Sequence, residues 1–272
     1  MGIGHSSIPE ILAAALFVFV SILSCSVKED RDSCPCNLRF DLSDAFRDSD
    51  GSLTMVVRGP EGFLLCDTLK AGNDSIHTVL VPREELTIDF YTPFGALKNP
   101  VEGYRPEKTC APVWHWSEVL TAGGEMVERK VRPHKDYCRL NVSLVGNPGV
   151  SLPYSLLFVS NINGYLPGGK LSEGIFAERV TPGISGGTSA VWGCSVNLLR
   201  QKDSSLMMEV VSDGQTSVSL RSFAIGEYLA AAGYDWTAAD LEDVDITLDF
   251  AATDILITTS KWTRRLEFSV VI

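Results

Sequence analysis

Cys25 carries the clearest chemical assignment in the chain. It stands directly after Ile22-Leu23-Ser24, at the end of an apolar run from Ile11 to Leu23 broken only by Ser21. An aliphatic residue three places before a cysteine, with a small residue just before it, makes a lipobox. The thiol takes a diacylglycerol, and the small side chain fits the signal peptidase at the cut. The 13-residue run is too short to span a bilayer and suits a signal-peptide h-region. A signal peptide over 1–24 and lipid on Cys25 are therefore expected. Met1 to Glu10 departs from the usual basic n-region, because it carries Glu10 and no Lys or Arg. Each buried CH₂ of an acyl chain contributes about 0.8 kcal/mol, so several chains on one cysteine anchor a protein that has no spanning segment.

Other residue groups carry weaker chemistry. Gly183-Ile184-Ser185-Gly186-Gly187 matches G-x-S-x-G. A nucleophile elbow needs a strand before it, a helix after it, and Asp then His downstream. No His follows His134, so a glycine-rich loop is the better reading. Asp48-Ser49-Asp50-Gly51 hints at a calcium loop, but aligning Gly51 with the sixth position puts Phe46 first and Val57 twelfth, where oxygen ligands belong. It reads as a turn. Asp240, Glu242, Asp243, Asp245 and Asp249 crowd one stretch. Paired carboxylates serve glycoside hydrolysis, yet a solvated edge explains the cluster more simply. Trp114-His115-Trp116 could present two indoles on one strand face for stacking on sugar, with an aromatic plug or interface as the plainer reading. His5, His77, His115 and His134 are scattered. Six cysteines besides Cys25 (Cys34, Cys36, Cys66, Cys110, Cys138, Cys194) lack the Cys-x-x-Cys spacing of a zinc site. In an oxidising compartment some could pair, in a pattern the spacing leaves open. No metal, cofactor or catalytic residue is expected.

Those groups sit on a scaffold that reads as strands. The chain has 45% hydrophobic and 21% charged residues, the balance of a folded protein. Removing Glu10 with the signal leaves 33 acidic residues against 23 basic, or −10, which disfavours nucleic-acid partners. Ser26 to Asp32 is polar and charged, a tether; 25–36 is assigned to it. Leu38, Phe40 and Leu42 alternate with Asn37, Arg39 and Asp41, the period of a half-buried strand. Similar strands are expected at 53–57, 63–69, 75–81, 86–91, 126–132 and 138–145, with an irregular stretch over 92–122. Asn147-Pro148-Gly149 is a breaker cluster and the best domain boundary, dividing 37–147 from 148–272. Beyond it, strands are expected at 155–160, 190–198, 206–211, 217–221, 245–250, 255–259 and 266–272. Two short helices interrupt them: 225–232, stopped by Gly233, and one turn opened by Thr237-Ala238-Ala239-Asp240 as a capping box. Turn signals about every eight to twelve residues suggest sandwiches.

The mature start, with Lys28-Glu29-Asp30 and then Cys34-Pro35 leading into Leu38-Arg39-Phe40, resembles the FimB/Mfa2 family of Bacteroidetes fimbrial anchor lipoproteins. So do Gly164-Tyr165-Leu166-Pro167-Gly168-Gly169 and the ordered set Ile225-Gly226-Glu227-Tyr228, Gly233-Tyr234-Asp235-Trp236, Leu241-Glu242-Asp243-Val244, Ile246-Thr247-Leu248-Asp249 and Lys261-Trp262. Lys28-Glu29-Asp30 also looks like the acidic signal that exports such lipoproteins to the cell surface. Asp67-Thr68-Leu69 and Asp74-Ser75-Ile76 look like Bacteroidetes O-glycosylation triplets, too short to add much. Cys36 beside Cys34-Pro35 departs from the family pattern.

The resemblance implies an all-β chain of two tandem transthyretin-like β-sandwich domains. It also implies a role at the foot of a fimbria assembled by strand exchange, where the anchor holds the fibre to the outer membrane and can limit its length. The partners are then a fimbrial stalk subunit and, through Cys25, the outer membrane. The expected exchange edge is the amphipathic last strand, with Leu266, Phe268, Val270 and Ile272 on one face. The competing reading is a surface lipoprotein that binds glycan, which an exposed Trp114/Trp116 platform would favour.

Overall fold

The computed structural model describes residues 34–46, 51–72, 75–92, 102–146, 154–185, 191–213, 218–249 and 254–267. Cys25, the signal and most of the tether lie outside that range, as do Asp48 to Asp50, Gly186 and Gly187, the Asn147-Pro148-Gly149 breaker, and Phe268 to Ile272. Most of the described chain is strand, with one short α-helix, and it is an all-β sandwich fold. Its first strands are β1 Cys36–Asp41, β2 Ser52–Arg58, β3 Leu64–Lys70, β4 Ile76–Val81, β5 Glu85–Thr92, β6 Trp114–Thr121, β7 Met126–Lys130 and β8 His134–Lys135. Then follow β9 Tyr137–Val145, β10 Tyr154–Tyr165, β11 Leu171–Val180, β12 Gly183–Ser185, β13 Val191–Leu199, β14 Met207–Ser212 and β15 Ser219–Phe223. After the helix α1, Ile225–Ala232, come β16 Val244–Asp249, β17 Asp254–Thr258 and β18 Thr263–Glu267.

Alternation explains why these segments are strands. Leu38 and Phe40 on β1 are fully buried, as are Leu140 and Leu144 on β9, with Val142 nearly so. Fully burying one such side chain contributes about 1.5–3 kcal/mol. Because the pattern has period two, a one-residue slip would turn the whole apolar set to water. Cys36, expected at the end of the tether, belongs to this set. It opens β1 opposite Val81 and is buried, a small hydrophobe rather than a linker residue.

β4-β1-β7 form a three-stranded sheet and β3-β2-β5-β6-β8 a five-stranded one. Both enclose an apolar core built on Leu38, Phe40, Met55, Val57, Ile88 and Phe90. The later strands form a six-stranded sheet, β12-β13-β9-β16-β17-β18, and a four-stranded sheet, β11-β10-β14-β15. These enclose a second core built on Leu140, Val142, Leu156, Phe158, Val210 and Ile246. In both halves the opening strand takes a late strand as a parallel neighbour: β1 with β7, and β9 with β16. The sheets therefore divide between Lys135 and Tyr137. β9, expected on the N-terminal side of the Asn147-Pro148-Gly149 break, pairs with β13 and β16 in the C-terminal sheet.

The helix expected at 225–232 is present, and Gly233 ends it in the left-handed region at φ 85°. The Gly233 and Tyr234 N–H groups return to the last carbonyls of the helix, as a glycine stop requires. The turn expected from Thr237 does not form a helix. The Asp235 carboxylate accepts from the Thr237 N–H and hydroxyl. The Arg200 guanidinium donates to the carbonyls of Trp236, Ala238 and Ala239. Asp240 accepts from the Lys135 N–H at 2.8 Å instead of reaching back to Thr237. The neighbouring Asp235, the Lys135 main chain and the Arg200 side chain have thus taken the groups that a helical turn would use.

Candidate functional site

Two features stand out once the sheets are built. One is the sheet edge at β18, and the other is a buried charged junction between the sheet pairs.

β18 is the last strand of the six-stranded sheet. It pairs antiparallel with β17, Leu266 opposite Ile255. Leu266 is half-buried and packs on the C-terminal core. Arg264 and Arg265 are exposed, and Arg265 meets Asp254 at 3.2 Å. Charged side chains on an exposed edge deter indiscriminate pairing. Of the four expected exchange-edge residues, only Leu266 falls within the described residues.

The junction begins from an anomaly in β5. Asp89 lies in the apolar run Leu86-Thr87-Ile88-Asp89-Phe90-Tyr91 and its side chain is fully buried. A buried carboxylate must find donors. Asp89 finds Arg58 on β2, the His115 ring Nε2 on β6 at 3.2 Å, and the Gly168 N–H at 3.0 Å. Gly168 belongs to the other sheet pair, on the turn between β10 and β11. Burial alone would raise the carboxyl pKa, but His115 and Arg58 outweigh it and hold Asp89 below the ordinary 3.8.

His115 is buried too. Its Nδ1 lies 3.3 Å from Asp136 Oδ2. Asp136, the single residue between β8 and β9, takes Arg200 Nη2 at 2.6 Å. The Tyr165 hydroxyl donates to the Asp136 carbonyl at 2.6 Å. Tyr91, Tyr104, Tyr165, Ile162 and Leu199 make a third apolar cluster around this network. Gly169 has φ +71°, and a Cβ there would lie 2.7 Å from the His115 ring. Glycine thus lets the Gly164–Gly169 turn close down on the imidazole.

The other singled-out residues prove structural. Ser185 lies in the edge strand β12 opposite Val191, and the residues directly after it are outside the described ones. The acidic cluster is taken up by neighbours: Asp243 by Lys135 and the Arg139 N–H, Asp245 by Asn141, Glu242 by Lys261. Trp116 packs edge-on against Phe90 at 5.6 Å and Trp114 against Tyr137 at 6.3 Å. Both indoles are half-buried, so they do not make an open platform. All six described cysteines are unpaired. Burial pushes the Cys110 and Cys138 thiols up to about 12 and Cys194 to about 11, which leaves them unreactive. Among the described residues no His/Cys/Asp/Glu group could hold a metal ion, and no helix is long and apolar enough to cross a membrane.

Sequence reasoning does not single out Arg58, Asp89, Asp136 or Arg200. Asp89 carries a usable signal, because a carboxylate within an apolar strand demands a partner. Arg58, Asp136 and Arg200 carry none, since only the fold assembles them.

No protein-family model matches the chain, and no curated protein matches its sequence. Solved structures do match. A candidate adhesin of Bacteroides thetaiotaomicron is 15% identical, with 86% of this chain and 99% of that chain covered and a TM-score of 0.54. A candidate polysaccharide-binding protein of the same organism is 12% identical, with 85% and 98% covered and a TM-score of 0.58. The fimbrial anchor protein Mfa2 of Porphyromonas gingivalis is 10% identical, with 85% and 99% covered and a TM-score of 0.57. The resemblance read from the motifs thus extends to three dimensions: over most of its length this chain is similar in fold to the Mfa2 anchor and to Bacteroides adhesin-like proteins.

Proposed function

We propose that this protein is a lipid-anchored fimbrial anchor subunit of the FimB/Mfa2 type. Lipid on Cys25 fixes it to the outer membrane, on the cell surface, and a stalk subunit joins it through an open sheet edge. The observation that carries this reading is the likeness of fold to Mfa2 across 85% of this chain and 99% of that one, added to the lipobox at Cys25. The two sheet pairs act as tandem domains, and pulling force runs from the stalk through both to the lipid. Non-catalytic binding is the whole of the mechanism. Main-chain hydrogen bonds along the edge supply affinity, and alternate side chains entering a groove supply register. Attachment at the foot is also where fibre length can be limited. The candidate polysaccharide-binding relative in fold favours glycan binding as a second reading, but the packed Trp114 and Trp116 do not supply the platform for it.

The exchange edge is tested by truncation after Glu267, which leaves β18 and Leu266 in place and removes Phe268, Val270 and Ile272. Stalk capture in a pull-down should fall at least about tenfold, or ~1.4 kcal/mol, with the thermal melt of the anchor kept. Undiminished capture by the folded truncate would remove the last strand from the mechanism.

A further inference from the structure

The network around His115 has a property that its role as packing does not require. Both ring nitrogens face carboxylate oxygens: Nε2 to Asp89 at 3.2 Å and Nδ1 to Asp136 at 3.3 Å. Carboxylates only accept, and a neutral imidazole has one N–H. Only the imidazolium can donate to both. With the neutral ring, one nitrogen lone pair would face an oxygen lone pair in a site where water is excluded, and that arrangement is costly.

The same two carboxylates receive the C-terminal half of the molecule. Asp89 accepts from the Gly168 N–H and Asp136 from Arg200. We propose that His115 is a proton-operated latch: its protonated ring, gripped by Asp89 and Asp136, locks the N-terminal sheet pair to the C-terminal one, and loss of the proton lets them part.

Every element around the ring bears on its charge. From β5 come Asp89 and the stacked Tyr91 ring at 4.4 Å. From β2 comes Arg58, through Asp89. From the β8–β9 connection comes Asp136, and from beyond β13 comes Arg200, through Asp136. From β10 comes the Tyr165 ring at 6.0 Å. His134, opposite His115 on β8, lies instead against Asp240 at 3.5 Å. The two arginines weigh against a third positive charge, but Arg200 shares its charge with the carbonyls of Trp236, Ala238 and Ala239. Burial also opposes the imidazolium, yet Asp136 and Asp89 outweigh it and hold the ring above the ordinary 6.5.

Linkage fixes the direction of the pH response. A histidine raised on folding contributes stability that is whole below 6.5 and drains as pH rises through the folded value. Asp89, lowered on folding, contributes stability that is whole above 3.8 and is lost as pH falls through its folded value. The latch is therefore shut between these limits and opens on the alkaline side.

The test is differential scanning calorimetry of the full mature chain in detergent, wild type beside His115→Gln, from about pH 6 to about pH 9. Glutamine keeps one donor and does not titrate. The wild type should unfold in one transition at the lower pH and in two, or several degrees lower, at the higher. His115→Gln should resemble the alkaline wild type at both. An equal response to pH in the two proteins would overturn the latch. Should the variant fail to fold, nitrogen NMR of the wild-type ring decides. Titration above 6.5 with both nitrogens protonated below it supports the proposal, and titration at or below 6.5 overturns it.

Discussion

Asp89→Ala should lower the stability of the protein by about 3–5 kcal/mol, the cost of breaking a buried charge pair from one side. The substitution leaves Arg58 and His115 without their shared carboxylate, and the Gly168 N–H without an acceptor. Arg58 is only 14% exposed and His115 only 5%, so water cannot take over. At ~2–4 °C per kcal/mol for a chain of this size, the melt should move by roughly 10 °C. A surface pair provides the contrast. Arg39 and Glu128 lie 3.8 Å apart and are about half exposed, and Glu128→Ala should cost no more than ~1 kcal/mol. Equal melts for the two variants would mean that the junction does not hold the sheet pairs together.

Gly226→Ala should destabilise the protein, although the position is helical. In a solvent-facing helix, alanine gains about 0.5–1 kcal/mol over glycine. Here a Cβ would stand 2.1 Å from the Ser204 carbonyl oxygen and 2.9 Å from the Leu206 nitrogen. These are backbone atoms and cannot rotate away. The Gly226 N–H also donates to the Leu206 carbonyl at 2.9 Å, which pins helix and loop together. Ile225, Leu229 and Leu206 beside it are fully buried. Overpacking of this kind costs about 1–3 kcal/mol or more and outweighs the helical gain. Ala230→Gly on the exposed face of the same helix should lose only about 1 kcal/mol. If chemical denaturation shows Gly226→Ala to be as stable as wild type, the loop does not press on the helix as described.

These two sites show where the sequence is readable and where it is not. Strands with one wet face declare themselves, since Leu38 and Phe40 alternate with Asn37 and Arg39 and are buried in that order. Helix α1 is legible from its alanines and its glycine stop. β6 is not legible, because its buried residues are of opposite kinds. Trp116 and Leu120 serve the N-terminal core, but Glu118 between them breaks the apolar alternation, and the polar His115 is buried on the other face. β11 is hidden for another reason. It is an edge strand with bulges opposite β10, and its adjacent apolar pair splits between the faces, Ile175 82% exposed and Phe176 buried. The charged junction is the hardest feature to foresee, because its members at 58, 89, 115, 136 and 200 meet only after the sheets have formed. The turn from Gly164 to Gly169 is legible as a family motif, but its physical role is not. Only the fold shows that it closes onto His115 and Asp89.

The central claim is that lipid on Cys25 ties a fimbria to the cell, and fibre fractionation tests it most directly. Wild type and Cys25→Ala would be expressed in a fimbriated Bacteroidetes host lacking its own anchor gene. Fimbriae on washed cells would then be compared with fimbriae in the medium. The account predicts fibres retained with the wild type and shed with Cys25→Ala. Equal retention in both strains would contradict it, leaving a surface lipoprotein with no part in holding the fibre.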